Sequence, residues 1–439
     1  MLRYAALALT ACLSLASNAR AVPAFADQTG LHCTKCHVGA FGPQLTVAGR
    51  AFKLGGYTLR TNPNAVPVAA MAIASFLDTQ KDQSAPPAKN FATNDNVALD
   101  QLSIFLAGGA GNHFGGFSQF TYDGVGKSVG WDNLDLRAVN TTKLFGADTT
   151  YGLSLNNNPG VQDVWATLPA WGFPFTTSKL APAPAGATLL DGTFAQNVIG
   201  LTAYVWWDNS LYAEAGAYRS LPRGTLRFLG VGPQGTDLID GVAPYVRIAY
   251  QKDVGPYDIQ VGSFALLGDV FPGRDESAVT TDRLHDFGAD ASYQFNGDKN
   301  LVTANARFIH EGQGLHASRL LGLSTNGSNS LNEATFDASY YWDNAIGFTI
   351  SHFRTWGSRD NLLYASNRTF KPDSDGFIFQ IDGTPWGKEG APFGNWVNLR
   401  VGLQYTVYTR FDGASRNFDG AGTNASDNNT VRLFLWLAF

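Results

Sequence analysis

Most of this chain, from residue 66 to residue 439, alternates apolar and polar residues with a period of two. In NWVNLRVGLQYTVYT (395–409), apolar residues such as Val401 and Leu403 share one face, and polar residues such as Arg400 and Gln404 share the other. A strand points successive side chains to opposite faces, so this period predicts an all-β fold. A soluble β-sandwich would show the same alternation, and strand length and loop pattern must separate the two classes.

Strand length and loop pattern favour a membrane barrel. The alternating segments predict sixteen strands, near 66–80, 97–108, 113–123, 131–140, 148–157, 195–207, 210–219, 242–252, 256–268, 283–295, 300–311, 331–342, 345–356, 374–384, 396–409 and 429–439. Tight turns such as WWDNS and FNGDKN follow even-numbered strands, whereas longer loops follow odd-numbered ones, the longest at 158–194. Short turns at one end and long loops at the other are typical of antiparallel outer-membrane β-barrels, with both termini on the periplasmic side.

Aromatic residues and the C-terminus agree with a barrel in outer-membrane lipid. Six aromatic residues fall near predicted strand ends, where the aromatic girdles of such barrels lie: Trp206, Trp207, Tyr340, Tyr341, Trp342 and Tyr405. The chain ends in VRLFLWLAF, whose alternate residues form one apolar face that finishes on Phe439. The part after the leader contains no apolar run of about eighteen residues, so helical membrane spans are not expected.

The first 21 residues, MLRYAALALTACLSLASNARA, have the layout of a secretory signal peptide. A basic residue, Arg3, precedes an apolar stretch, and small residues at Ala19 and Ala21 predict cleavage before Val22. Lipoprotein processing at Cys12 is the alternative, because LTAC resembles a lipobox. Either route exports the chain. The net charge of −5, without a basic block, gives no support for a nucleic-acid partner.

The motif CTKCH, residues 33–37, is the strongest chemical signal in the sequence. Two cysteines three positions apart can form thioethers with the two vinyl groups of one haem, and the following histidine can bind the iron. The sequence therefore predicts one covalently attached haem c, held by Cys33 and Cys36, with His37 as the proximal iron ligand. A redox dithiol of the thioredoxin type would need a βαβ context, which the surrounding sequence lacks.

The second axial position of the iron has one candidate ligand in the barrel sequence. Met71 is the only methionine after the initiator and shares an alternation face with Ser75 and Thr79. The opposite face is more uniformly apolar and would meet lipid, so Met71 is expected to point into the barrel. Met71 could therefore be the distal ligand, or it could only fill space among apolar side chains.

The N-terminal part of the chain lacks an apolar core, and the predicted barrel has a lumen to fill. Residues 22–65 are too few to bury an independent core, and a bound haem could supply much of the missing apolar core. A sixteen-stranded barrel encloses a lumen too wide for its own side chains to fill. We therefore expect the haem segment, residues 22–65, to plug the barrel formed by residues 66–439. Five arginines are predicted to face the lumen, where they could bind haem propionates or the plug, or line a pore: Arg137, Arg247, Arg307, Arg400 and Arg432.

The region 22–60, with PAFADQTG, CTKCH and PQLTVAGRAFKLGGY, resembles the N-terminus of the fused monohaem cytochrome c–porin family. Well-known members of that family are outer-membrane cytochromes that oxidise Fe(II). The resemblance implies outer-membrane electron transfer from an extracellular donor such as Fe(II) to a periplasmic c-type cytochrome, as in an iron:cytochrome c oxidoreductase. Electron export to an extracellular acceptor, and a diffusion porin with an accessory haem, are the alternatives.

Overall fold

A computed structural model of the protein describes residues 24–168, 176–232, 236–386 and 397–439. The predicted signal peptide, residues 1–21, and Cys12 lie outside these residues. Seventeen strands of the described part form one sheet, and every pair is antiparallel. One strand has two residues, whereas the other sixteen have between 9 and 17.

The sixteen long strands lie where the alternation predicts them. The strands are β1 (Val68–Thr79), β2 (Asn96–Ala110), β3 (Phe114–Asp123), β4 (Ser128–Leu144), β5 (Ala147–Asn156), β6 (Val198–Trp207), β7 (Leu211–Ser220), β8 (Leu238–Ile239), β9 (Ala243–Val254), β10 (Tyr257–Phe271), β11 (Asp282–Asn296), β12 (Asn300–Gly314), β13 (Ser328–Trp342), β14 (Ile346–Gly357), β15 (Ser374–Gly383), β16 (Asn398–Arg410) and β17 (Thr430–Ala438).

The sheet closes on itself because its first and last strands pair. In β1, Met71 lies opposite Ala438 of β17 on one side and opposite Ser103 of β2 on the other. Strand β9 pairs with both β7 and β10, and the short β8 adds two residues beside β10. The protein is therefore a closed antiparallel barrel of sixteen long strands, as predicted, and closure gives each of these described strands a partner on both sides.

Burial along the strands follows the predicted alternation. In β16 the outward residues Val401 and Leu403 are exposed, whereas the inward residues Arg400 and Gln404 are buried. All five predicted lumen arginines are buried. An apolar outer face around a polar interior is the architecture of a transmembrane β-barrel. No helix within the described residues is long and apolar enough to cross a membrane.

Two of the six aromatic residues predicted for the girdles face inward instead. Trp206 and Tyr341 are 6% and 1% exposed, whereas Tyr340 and Trp342, which flank Tyr341, are 38% and 48% exposed. The difference follows from the period of two, because consecutive aromatic residues in a strand must point to opposite faces. Only the outward residues of each run can meet lipid.

The connections alternate in length as predicted over most of the barrel. The turns β6–β7, β9–β10 and β13–β14 are tight, and the termini of the barrel, at Val68 and Ala438, lie at the same end as these turns. We call this the short-turn end and the opposite end the long-loop end. The connection from β15 to β16 is longer, and residues 387–396 of it lie outside the described part.

The helices are short. They are α1 (Ala24–Thr29), α2 (Cys33–Cys36), α3 (Val47–Leu54), α4 (Pro159–Gln162), α5 (Arg223–Phe228) and α6 (His316–Leu320), with single 3-10 turns at Pro272–Arg274, Glu276–Ala278 and Ala425–Asn428 and an irregular turn at Leu189–Thr193. The first three belong to residues 24–66, which precede the barrel and which we call the N-terminal segment.

The loop between β5 and β6, which we call the inner loop, is described at residues 157–168 and 176–197. Its first part, residues 157–168, is buried rather than extended into solvent. Val161, Trp165 and Leu168 are each 1–2% exposed. Lumen arginines bind the loop: Arg137 donates to the carbonyl of Gln162 at 3.0 Å, and Arg307 pairs with Asp191 at 3.0 Å. The sequence predicts this region only as the longest loop, although its apolar residues are unusual for a solvated connection.

Candidate functional site

The N-terminal segment lies against the inward faces of strands spread around the barrel. The Tyr57 hydroxyl donates to Asp135 of β4 at 2.7 Å, and the Tyr204 hydroxyl of β6 donates to the Leu54 carbonyl at 2.6 Å. Arg50 of α3 forms a buried ion pair with Asp258 of β10. Because the partners come from different sides of the barrel, these bonds fix the segment in three dimensions.

Glycines of the hairpin formed by β2 and β3 make room for the segment. A Cβ on Gly109 would lie 2.6 Å from the Tyr57 carbonyl oxygen, and one on Gly115 would lie 2.4 Å from that of Gly56. The amide of Gly109 donates to the side chain of Gln28 at 2.7 Å. This Gly-rich hairpin therefore lets the backbone of the segment pack directly on the barrel wall.

The predicted haem-binding residues form one compact turn. Helix α2 runs from Cys33 to Cys36, and the amide of His37 donates to the Cys33 carbonyl at 2.8 Å. The turn packs on α3, whose Gly49 lies so close that a Cβ would be 2.1 Å from the Cys36 carbonyl oxygen. Thr46 caps α3 by accepting from the Gly49 amide and donates to the Lys35 carbonyl. Helix α3 thus holds the turn in place.

Cys33, Cys36 and His37 line the same cavity. Its empty volume is about 1380 Å³, including solvent at its mouth. The remaining walls are mainly apolar and come from the segment and from four strands; they include Phe25, Phe41, Phe52, Tyr57, Met71, Phe105, Phe117 and Trp436. A mainly apolar pocket with a few convergent reactive groups is the usual form of a cofactor site.

The chemical state of the three side chains suits a c-type haem. Both thiols are free and half-buried, and burial raises the pKa of each. Burial lowers the pKa of His37 to about 4, and the positive charge of Arg400 acts in the same direction. The imidazole is therefore neutral at pH 7, which is the form that binds metals. The backbone of Gly42 opposes the lowering of this pKa, although the buried Nδ1 of His37 has no partner in full hydrogen-bonding geometry among the described residues.

Met71 points inward, as predicted, and lines this cavity from β1. It is 5% exposed and packs in one apolar cluster with Phe41, Phe434 and Trp436, which Cys33 also contacts. The exposed His32 lines the cavity as well, although its position beside Cys33 in the chain restricts its reach over the distal face of a haem. Distal ligation by Met71 stays a prediction.

The cavity lies at the short-turn end of the barrel. Its strand residues include Ala69, Ala70 and Met71 at the start of β1, and Trp436 and Ala438 at the end of β17. The sequence alone does not say which end of the barrel the site is near. Within the described residues, no cluster of three or more His, Cys, Asp or Glu side chains could hold a metal ion.

No protein-family model and no curated protein matches this chain. Among solved structures, outer-membrane-expressed OmpT of Vibrio cholerae is similar over 87% of this chain and 99% of its own, with 8% identity and a TM-score of 0.46. The channel DcaP of Acinetobacter baumannii covers 85% of this chain and 97% of its own, with 12% identity and a TM-score of 0.46. An anion-selective porin from Comamonas acidovorans covers 84% and 98%, with 10% identity and a TM-score of 0.44. Likenesses at this level support no inference about function, and the barrel rests on its own strand pairing.

Proposed function

We propose that this protein is an outer-membrane electron-transfer protein with one c-type haem bound by its N-terminal segment. The observation that carries the proposal is the shared cavity of Cys33, Cys36 and His37, an apolar chamber with both thiols and a neutral imidazole in its wall. A zinc site would need further ligands, and the described residues form no such cluster at the cavity.

Each residue of the site has a distinct task in this proposal. Cys33 and Cys36 would hold the haem covalently, His37 would bind the iron on one side, and Met71 would bind it on the other. A bound haem would supply a one-electron redox centre, and its potential would depend on axial ligands and burial. The apolar walls would surround a bound haem with few polar groups, and no acid or base is needed for electron transfer.

The N-terminal segment has a second task, which is to plug the lumen. This task is supported by the hydrogen bonds of the segment to β2, β4, β6 and β16 and by its ion pair to β10. The docked inner loop supports it as well. Lys53 links the N-terminal segment to the inner loop, since its ammonium donates to the Val161 carbonyl at 2.5 Å. Electrons would therefore cross the outer membrane without passage of solutes.

The direction of transfer rests on the resemblance to Fe(II)-oxidising cytochromes. Fe(II) would lose one electron outside the cell, so that its insoluble product stays outside, and a periplasmic c-type cytochrome would receive the electron. Both termini would be periplasmic, which is the usual orientation of barrels with short turns at one end. The cavity, at that end, would then be within reach of the periplasmic partner, and an electron released outside the cell would have to travel along the barrel to reach the haem.

The test is to purify the exported protein and measure haem that survives denaturation. We expect one haem per chain in the wild type, and none in Cys33→Ala/Cys36→Ala, with the barrel still folded in detergent. A wild-type protein without covalent haem would refute the proposal. Anaerobic mixing with Fe(II), followed through the haem absorption bands, then separates iron oxidation from the alternatives: failure of Fe(II) to reduce the haem would favour electron export or an accessory haem.

A further inference from the structure

Arg400 is a residue of the barrel wall that contacts the turn following His37. It lies on β16 and is 1% exposed. Its Nη2 donates to the carbonyl oxygens of Gly39 and Phe41, the latter at 2.7 Å. Backbone carbonyls that accept from a buried guanidinium are held firmly, because charge-assisted hydrogen bonds are the stronger class.

The contacted turn has little freedom to adjust. Gly39 and Ala40 have φ values of +64° and +79°, and a Cβ on Gly39 would lie 2.4 Å from the ring of Tyr341. The turn is therefore fixed between Tyr341 of β13 and Arg400 of β16. Since His37 is two residues before Gly39, the same contacts fix the imidazole relative to the barrel.

The guanidinium of Arg400 also lies over two rings that line the cavity. Its central carbon is 5.1 Å from the centroid of Phe41 and 5.7 Å from that of Trp436. These two rings pack edge to face at 5.0 Å. The positive charge thus lies directly behind two aromatic rings that line the cavity, where a low dielectric leaves electrostatic effects strong.

The other four lumen arginines have different partners. They pair with carboxylates of the wall or the inner loop: Arg137 with Asp135, Arg247 with Asp163 and Asp290, Arg307 with Asp191 and Glu333, and Arg432 with Asp100. Arg400 has a carboxylate as well, Asp382 of β15, whose oxygen is 3.5 Å from its Nε.

We propose that Arg400 is a positioning residue for the His37 turn and that its charge raises the reduction potential of a haem bound at Cys33, Cys36 and His37. The redox half of this inference rests on the proposed function. Reduction adds one electron to the iron, so a buried positive charge nearby stabilises the reduced form more than the oxidised form. Asp382 opposes the effect, and removal of its charge should strengthen it.

Four variants of the full-length protein test the two halves of this proposal: the positioning of the His37 turn and the effect of the Arg400 charge on the reduction potential. Arg400→Gln removes the charge and the forked donor, Arg400→Lys keeps the charge, and Asp382→Asn removes the opposing charge. Arg307→Gln is the matched control, because Arg307 is a buried, ion-paired lumen arginine bound to the inner loop instead of the segment. The measurements are the midpoint potential and the hydrogen exchange of the Val38 and Thr46 amides, which donate to Gln44 and Cys36.

We expect Arg400→Gln to lower the potential and to speed exchange at both amides. Arg400→Lys should hold the potential close to that of the wild type while exchange rises, and Asp382→Asn should raise the potential. Arg307→Gln should change neither. A potential unchanged in Arg400→Gln, or shifts of the same sign in Arg400→Gln and Asp382→Asn, would overturn the redox half.

Unchanged exchange in both Arg400 variants would overturn the positioning half. The exchange measurement needs no haem, so it decides that half even if the wild type carries none. Absence of haem would refute the proposed function and the redox half together. If Arg400→Gln fails to fold, Arg400→Lys still decides the positioning half and Asp382→Asn still decides the redox half.

Discussion

Gly39 shows at the scale of one residue how tightly the turn after CTKCH fits the barrel. Two constraints act on it: its backbone is left-handed, and an added Cβ would lie 2.4 Å from the ring of Tyr341. We expect Gly39→Ala to destabilise the docked turn by about 1–2 kcal/mol through backbone strain and by about 1–3 kcal/mol more through overpacking. The measurement is covalent haem yield together with exchange of the Val38 amide.

Gly111 provides the control for this substitution. It has a similar φ of +67°, but no atom lies within 4 Å of the position that a Cβ would take. Gly111→Ala should therefore carry the backbone strain alone and leave haem yield unchanged. Equal effects of the two substitutions would show that the fit against Tyr341 does not matter.

Met71 carries the second prediction at this scale. If its thioether completes the coordination of the iron, Met71→Leu should open that position with little change in volume. Carbon monoxide should then bind the reduced haem much faster than in the wild type, and the potential should fall, because methionine ligation raises it. His32→Ala serves as the comparison and should behave as the wild type. The opposite pattern would assign the ligand to His32.

The residues of the site differ in how far the sequence can predict them. CTKCH predicts a haem site because the spacing of its residues is local, and the period of two correctly predicts that Met71 and Arg400 face inward. The contact of Arg400 with Gly39 joins residues 361 positions apart. No local pattern encodes such a contact, since it depends on where the segment lies inside the closed barrel.

At the scale of elements, the inner loop is held by carboxylates on three neighbouring strands. Three successive amides, of Thr188, Leu189 and Leu190, donate to Glu333 of β13, Glu311 of β12 and Asp286 of β11 at 2.7–2.9 Å. The strands are adjacent in register, with Asp286 opposite Glu311. Three consecutive amides of the loop are therefore bound to the barrel wall.

Loss of one of these three carboxylate acceptors should loosen the inner loop. Glu311→Met keeps the shape of the side chain but leaves the Leu189 amide buried without a partner, at about 1–3 kcal/mol. Hydrogen exchange at Leu189 should rise by about 5-fold to about 150-fold, since about 1.4 kcal/mol corresponds to a factor of ten. Glu311→Gln retains an acceptor oxygen and should change exchange little. Similar exchange in both variants would rule out the acceptor as the cause.

The sequence predicts the elements unevenly. All sixteen long strands follow from the alternation, because a lipid-facing row and a lumen-facing row differ in every second residue. The inner loop is predictable only in position, because its burial depends on non-local partners such as Arg137 and Arg307. The girdle assignment is wrong for Trp206 and Tyr341 because aromatic content alone does not give the side on which each ring points.

At the scale of the whole molecule, the proposed plug has two parts. The N-terminal segment would enter at the short-turn end and the inner loop would fold back from the long-loop end, and their described residues meet where Lys53 contacts Val161. Burial lowers the pKa of Lys53 to about 8, with Asp135 nearby opposing that shift, so most of these side chains are still protonated at pH 7. Barrels of this architecture hold either a water-filled channel or a plug made of loops or a helix.

This arrangement predicts low ion conductance for the wild type in planar bilayers. Arg50→Ala/Lys53→Ala removes the buried ion pair with Asp258 and the bonds to Val161 and Asp163, so α3 should undock and conductance should rise severalfold. The rise is expected because each lost partner leaves a buried polar group without compensation. Lys143→Ala is the control: its ammonium is exposed and pairs only loosely with Asp148, at 3.8 Å. High conductance in the wild type would instead identify a diffusion porin, in which the haem segment leaves a solute path open.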